Sequence, residues 1–200
     1  MSRLLRALCV LLPLVLAITG FSSRVLADWW LENLAVFVAL LFFAFGRHRI
    51  ALSNVSWALL FLFLCLHEYG AMYRYSNVPL GESAKAWLHT DRNHYDRLIH
   101  FLYGLLLTWP VVEAFQSLSR LGRPMLYAIA VQFIMATSAL YEIVEWLVAS
   151  IVAPQLGAEF VGAQGDPWDS PEDMAAALVG SLLVILVLVA RRSASSHPLQ

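Results

Sequence analysis

An all-α, polytopic membrane fold with six transmembrane helices and both termini cytoplasmic is predicted for this 200-residue chain by three observations. The composition is 60% hydrophobic and only 14% charged, against about 25% charged in ordinary soluble domains. The apolar residues gather into six runs, each near the ~20 residues needed to cross a bilayer core. The charges segregate by sign between alternate connections. Residues 1–200 therefore read as a single integral membrane domain, with spans at about 4–20, 29–45, 55–69, 98–115, 125–153 and 174–190. Cys9 and Cys65 both lie inside apolar runs, which excludes a disulfide framework and a zinc knuckle.

The first run follows Arg3 and Arg6 and has two readings: a retained helix, or the apolar core of a signal peptide cleaved near Val25-Leu26-Ala27. The retained helix is preferred, because Leu4 to Gly20 is long enough to span and Arg24 crowds the cleavage point. The second run starts at Trp29 and ends at Arg47-His48-Arg49; the third ends near His67-Glu68. A polar loop from Arg74 to Arg97 divides the chain, broken into turns by Pro79 and Gly81. Glu82 to His89 within it predicts a short interfacial helix. The fourth span carries Pro110, an expected kink, and Arg120 to Pro124 form the next turn. The fifth run, Met125 to Ala153, would be ~43 Å long at 1.5 Å per residue, so it is tilted or protrudes. A Gly-rich loop, Gln155 to Pro171, leads to the sixth span, which closes at Arg191-Arg192. Ser193 to Gln200 reads as a disordered tail.

Alternating the loops puts Arg3, Arg6, Arg47, Arg49, Arg120, Arg123, Arg191 and Arg192 on one side, which the positive-inside rule makes cytoplasmic. All the acids except Glu113 fall towards the other side. Helix ends then carry polar residues to one common depth in the outer leaflet.

Asp96 and His100 are four apart and share a helix face. They are either a carboxylate orienting an imidazole that acts as metal ligand or general base, or a capping box in which Asn93 caps the span and Asp96 sits at its third position. Glu142 and Glu145 are either two further catalytic carboxylates or solvated acids in an aromatic belt with Tyr141 and Trp146. Asp169 and Asp173 join His100 as candidate metal ligands. The competing reading is a helix start, with Ser170 as cap, Pro171 in the first position and Glu172 and Asp173 in the first turn. Arg97 pairs either with these acids or with a lipid phosphate. His67-Glu68 reads chiefly as an interface marker. No nucleotide-binding loop, nucleophile elbow or zincin motif is present, and the acidic outer face argues against nucleic acid as a partner.

The stretch Tyr95-Asp96-Arg97-Leu98-Ile99-His100-Phe101, the pair Glu142 and Glu145 before Trp146, and Gly165-Asp166-Pro167-Trp168-Asp169 leading to Asp173-Met174 and Gly180 resemble the YjdF family of bacterial inner-membrane proteins. The resemblance covers most of the chain and implies the six-span layout and an inner-membrane location; it assigns no reaction. Within its motifs, Tyr95, Arg97, Asp166 and Trp168 are the candidate ligand-binding residues. A more distant similarity is to VanZ-like proteins, through Asp96-Arg97 with His100, Glu142, and Asp173 with Gly180. Here Arg97 stands for a Lys, Glu145 for a Gln and Ala177 for an Asn. That similarity implies a link to the cell envelope or to antibiotic response.

Three functions are compatible with this pattern. One is an outward-facing acidic and histidine-containing pocket that binds a divalent metal ion, a cationic ligand or a lipid headgroup. As an enzyme it would carry out metal-assisted hydrolysis or transfer on a lipid-linked substrate, with Asp96, His100, Glu142 and Glu145 as catalytic residues. The second is a small-molecule or proton-coupled transporter; the third is a non-catalytic envelope scaffold. Oligomeric state has no signature in the sequence.

Overall fold

A computed structural model describes residues 3–46, 49–152 and 164–195. These residues are almost entirely helical and contain no strand. The helices are α1 (Arg3–Ser22), α2 (Leu26–Glu32), α3 (Leu34–Gly46), α4 (Asn54–Met72), α5 (Pro79–Leu88), α6 (Tyr95–Leu118), α7 (Arg123–Val152) and α8 (Asp169–Ser195). Five of them, α1, α4, α6, α7 and α8, are long and apolar enough to cross a membrane. Large apolar side chains such as Val10, Phe21, Val55, Ile143 and Leu186 face outward. Small and polar ones such as Ala130, Thr108 and Ser181 are buried, as expected where helix contact depends on close packing and not on water exclusion.

The expected second span is divided at Asn33, whose side-chain amide donates to the Trp29 carbonyl at 3.0 Å, the same acceptor its backbone N–H uses at 3.1 Å. This competition perturbs the helix locally. Asn33 nevertheless keeps near-helical angles, φ −81° and ψ −4°, and its carbonyl accepts from Phe37 N–H at 2.9 Å, so α2 runs on into α3. The predicted interfacial helix appears as α5, which begins at Pro79 and ends at His89 in the left-handed region (φ 50°). Its Leu80, Trp87 and Leu88 are exposed. α6 runs through Pro110. α8 starts at Asp169 and continues to Ser195, past the expected end at Ala190: no Gly or Pro intervenes, and Arg192 sits in the last turn, where a cation is favoured. Arg47-His48, Ala153, the first part of the Gln155–Pro171 loop and residues 196–200 lie outside the described residues.

α6 is central and packs against α4, α7 and α8, with α1 against α4. α6 and α8 run parallel: Arg97 meets Asp169 and Asp173, and further along Thr108 donates to Ser181 Oγ at 2.7 Å. Between these levels the two backbones touch. A Cβ on Gly104 would collide with the Ala177 carbonyl, and one on Gly180 with the Phe101 carbonyl. At the far end Glu113 accepts from Ser53 N–H (2.8 Å) and Ser56 Oγ (2.7 Å), tying the start of α4 to α6.

Candidate functional site

The first two turns of α6, the last third of α7 and the first two turns of α8 meet at one end of the bundle. The up-down-up course of these three helices places the start of α6, the end of α7 and the start of α8 together. Helical spacing then aims Asp96 and His100, Glu142 and Glu145, and Asp169 and Asp173 into the shared space. All six side chains are buried, Asp173 to 1% exposure.

His100 is the middle of this arrangement. Its Nε2 lies 3.2 Å from Glu142 Oε1 and 3.8 Å from Asp96 Oδ1, and its Nδ1 lies 3.4 Å from Ser138 Oγ. Two sets of ligand-type atoms have all their members within 4.8 Å of one another: His100, Glu142 and Asp173, and Asp96, Asp169 and Asp173. Asp173 belongs to both. Glu142 Oε1, although buried, makes no hydrogen bond among the described residues.

Two arginines border the acids. Arg97 reaches Asp173 and Asp169 at 3.3 Å each, Glu172 at 2.5 Å and Asp166 at 3.6 Å. Arg92 pairs with Asp169 and lies 3.7 Å from Asp166. Five buried carboxylates (Asp96, Glu142, Glu145, Asp169, Asp173), with Asp166 and Glu172 at the rim, thus share this end of the bundle with two guanidiniums. Burying uncompensated charge costs several kcal/mol per ion, so protons or a bound cation must supply the balance. Next to them His94, at the mouth, is held below its ordinary pKa by burial and then by Arg97 and Arg92, which leaves it neutral at pH 7. On α5, Glu82 is held below the usual carboxylate range by its bond to Lys85 and then by Asn93.

The structure answers the competing capping readings. Asn93 Oδ1 does accept from Tyr95 N–H at 3.1 Å. The reciprocal bond from Asp96 is absent, because Asn93 N–H is taken by Gln164 Oε1 at 2.9 Å. Glu172 N–H bonds to the Trp168 carbonyl, so α8 begins two residues earlier than the Ser170 reading requires, and Asp173 sits inside the helix facing Arg97.

Two candidate ligand-binding residues are not brought to the acids. Tyr95 is buried among Trp29, Ala71, Tyr75, Val78 and Ile99, with its hydroxyl donating to the Leu66 carbonyl at 2.8 Å; it packs the bundle. Trp168 is 68% exposed and points away, while its N–H closes a turn on Asp166 Oδ1 at 2.9 Å. Asp166 stands at the rim, beside both arginines. Beside Arg97, between α5 and the start of α6, lies a groove of about 380 Å³ lined mainly by apolar residues including Leu80, Leu88, Leu98, Phe101 and Ala176.

A second buried polar group adjoins the site and includes Glu32, to which sequence reasoning gave no role, beside His67 and Glu68, expected to mark the interface. Glu68, fully buried, accepts from Thr19 Oγ1 at 2.5 Å and Trp29 Nε1 at 3.0 Å. Glu32 accepts from Tyr141 OH at 2.6 Å, and the Tyr141 ring stands edge-on to His100, with centroids 6.1 Å apart. His67 Nδ1 and Tyr75 OH are 2.6 Å apart. Burial first, then Glu32 and Asp96, keeps the Tyr75 hydroxyl well above its usual pKa and so protonated. The available signal was that Glu32, His67 and Glu68 are ionisable residues at apolar helix ends on the acid side.

A family model described as "Predicted membrane protein (DUF2238)" matches residues 4–194. The chain is also 34% identical over 181 residues to the "Inner membrane protein YjdF" of Escherichia coli (strain K12), covering 88% of this chain and 85% of that protein. No solved structure matches it.

Proposed function

The chain belongs to the DUF2238 family of membrane proteins, and from that premise we propose that it is a six-pass inner-membrane protein that holds a divalent cation in its buried acidic pocket. The observation that carries this reading is the convergence of His100, Glu142 and Asp173 within 4.8 Å, with Glu142 Oε1 buried, 3.2 Å from His100 Nε2 and without a hydrogen bond among the described residues. One imidazole among carboxylates suits Mn²⁺, Mg²⁺ or Zn²⁺. Bound there, the ion would supply positive charge and Lewis acidity. Glu145, buried and outside both ligand sets, is the remaining candidate for a base.

The groove beside Arg97 favours a lipid headgroup as the second ligand. The apolar lining suits an acyl chain, while Arg97, already held by Asp166, Asp169, Glu172 and Asp173, would leave a phosphate to the bound cation. Transport is less well supported, since Ala130 and Ile134 fill the interior towards the opposite end and Gln132 is exposed on the outside of α7.

Purified full-length protein equilibrated with Mn²⁺, Zn²⁺ or Mg²⁺ and then desalted should retain stoichiometric metal by mass spectrometry, and a chelator should lower its melting temperature. Absence of retained metal together with an unchanged melting temperature would refute the cation site.

The six-pass reading counts α2 and α3 as one passage, supported by the hydrogen bonds that continue through Asn33. Both termini are then cytoplasmic and the acids face outward. Alkaline phosphatase fused after residue 90 should be active, and fused after residue 120 inactive. The reverse pattern would invert the topology.

A further inference from the structure

At the end of the bundle opposite the acids, the close of α6, the start of α7 and the close of α8 border a half-open cavity of about 260 Å³. Three arginines line it: Arg123 on α7, and Arg191 and Arg192 on α8. Among the described residues no carboxylate lines it. Trp109 and Gln116 on α6 add an indole and an amide, and Leu188 on α8 lies one turn inside the arginines. The cavity thus has a cationic mouth and a wall that becomes apolar with depth.

We propose that this cavity binds the phosphate of an anionic phospholipid in the membrane leaflet at that end. Guanidinium forks match phosphate oxygens in geometry and charge, and basic pockets between transmembrane helix ends suit anionic headgroups. Arg123 and Arg191 alone bring two guanidiniums to an apolar wall, a combination suited to an anionic headgroup with its chain attached. A free phosphate would satisfy the arginines equally well; the apolar wall at Leu188 and the position between membrane-crossing helices favour the lipid. Arg120 lies in the neighbouring turn but does not line the cavity, so it separates a built site from general surface charge.

The test is native mass spectrometry of the purified full-length chain in neutral detergent, with chelator present to silence any metal-dependent site. The protein is titrated with phosphatidylglycerol, phosphatidylcholine or inorganic phosphate. The wild type should take up phosphatidylglycerol at least tenfold more tightly than phosphatidylcholine. Arg123→Gln combined with Arg191→Gln should remove that preference, and Arg120→Gln should keep it. Equal uptake of the two lipids by the wild type overturns the proposal without reference to any variant's folding. So does a preference that survives in the double variant, or one lost as fully with Arg120→Gln. Displacement of phosphatidylglycerol by an equal concentration of inorganic phosphate overturns the lipid assignment in favour of a free anion.

Discussion

Replacing Asp173 by Asn is expected to weaken divalent-cation binding by on the order of 100-fold or more, about 2.7 kcal/mol. Asp173 is 1% exposed and is the one residue shared by both ligand sets, so the substitution removes a charged ligand from each while preserving shape. Arg97 contacts its Oδ1 at 3.3 Å and also holds Asp169 and Glu172, so the surrounding frame survives the change. Glu172→Gln is the matched control: its side chain is 49% exposed, pairs with Arg97 and belongs to neither set, and it should alter affinity less than threefold. Isothermal titration with Mn²⁺ reads both. Retention of wild-type affinity within threefold in the Asp173 variant would rule out the proposed ligand set.

Gly104→Leu should abolish folding of the bundle. The nearest atoms to a Cβ at this position are the Ala177 carbonyl and, at 2.8 Å, the Ser181 amide nitrogen. These are backbone atoms of α8, which cannot rotate aside as a side chain would. α6 and α8 would have to separate, breaking the Thr108–Ser181 hydrogen bond and the packing that positions Asp173. Gly104→Ala should cost roughly 1–3 kcal/mol, the usual range for overpacking, and leucine more than the fold can bear. Gly122→Ala, where only Pro124 Cδ lies within reach at 4.0 Å, should be near neutral. Thermal unfolding in detergent measures the series; a Gly104→Leu protein with wild-type melting behaviour would mean that the α6–α8 contact is not tight.

Much of this was legible in the sequence for a simple reason. An apolar run fixes a membrane-crossing helix, and alternating direction brings the ends of successive helices to the same side. Asp96, Glu142 and Asp173 could therefore be assigned a common depth without knowledge of any contact. What periodicity does not specify is rotation about each helix axis and the path of the loops. Tyr95 and Asp96 are adjacent, yet one turns into the apolar cluster and the other into the acids. Arg92 lies in a loop with no pattern of its own, and its pairing with Asp169 depends on where residues 89–94 run. Glu68 appeared to be a residue at the membrane surface because it is close to the end of its span; α1 and α2 cover it with Thr19 and Trp29. The early start of α8 is likewise set by tertiary contacts, since Ser170-Pro171 would serve a later start equally well.

The contact at Gly104 and Gly180 also has a mechanical meaning. Along α6 it stands about 12 Å from Asp96 and about 18 Å from Gln116, at 1.5 Å per residue. The two helices cannot come closer at that level, so it is a fulcrum for their relative tilt. A rocking motion that widens the gap at the carboxylates narrows it at the arginines, and the arginine end travels about one and a half times as far. Gly104 and Gly180 thus mark the level about which any change in tilt between α6 and α8 would pivot.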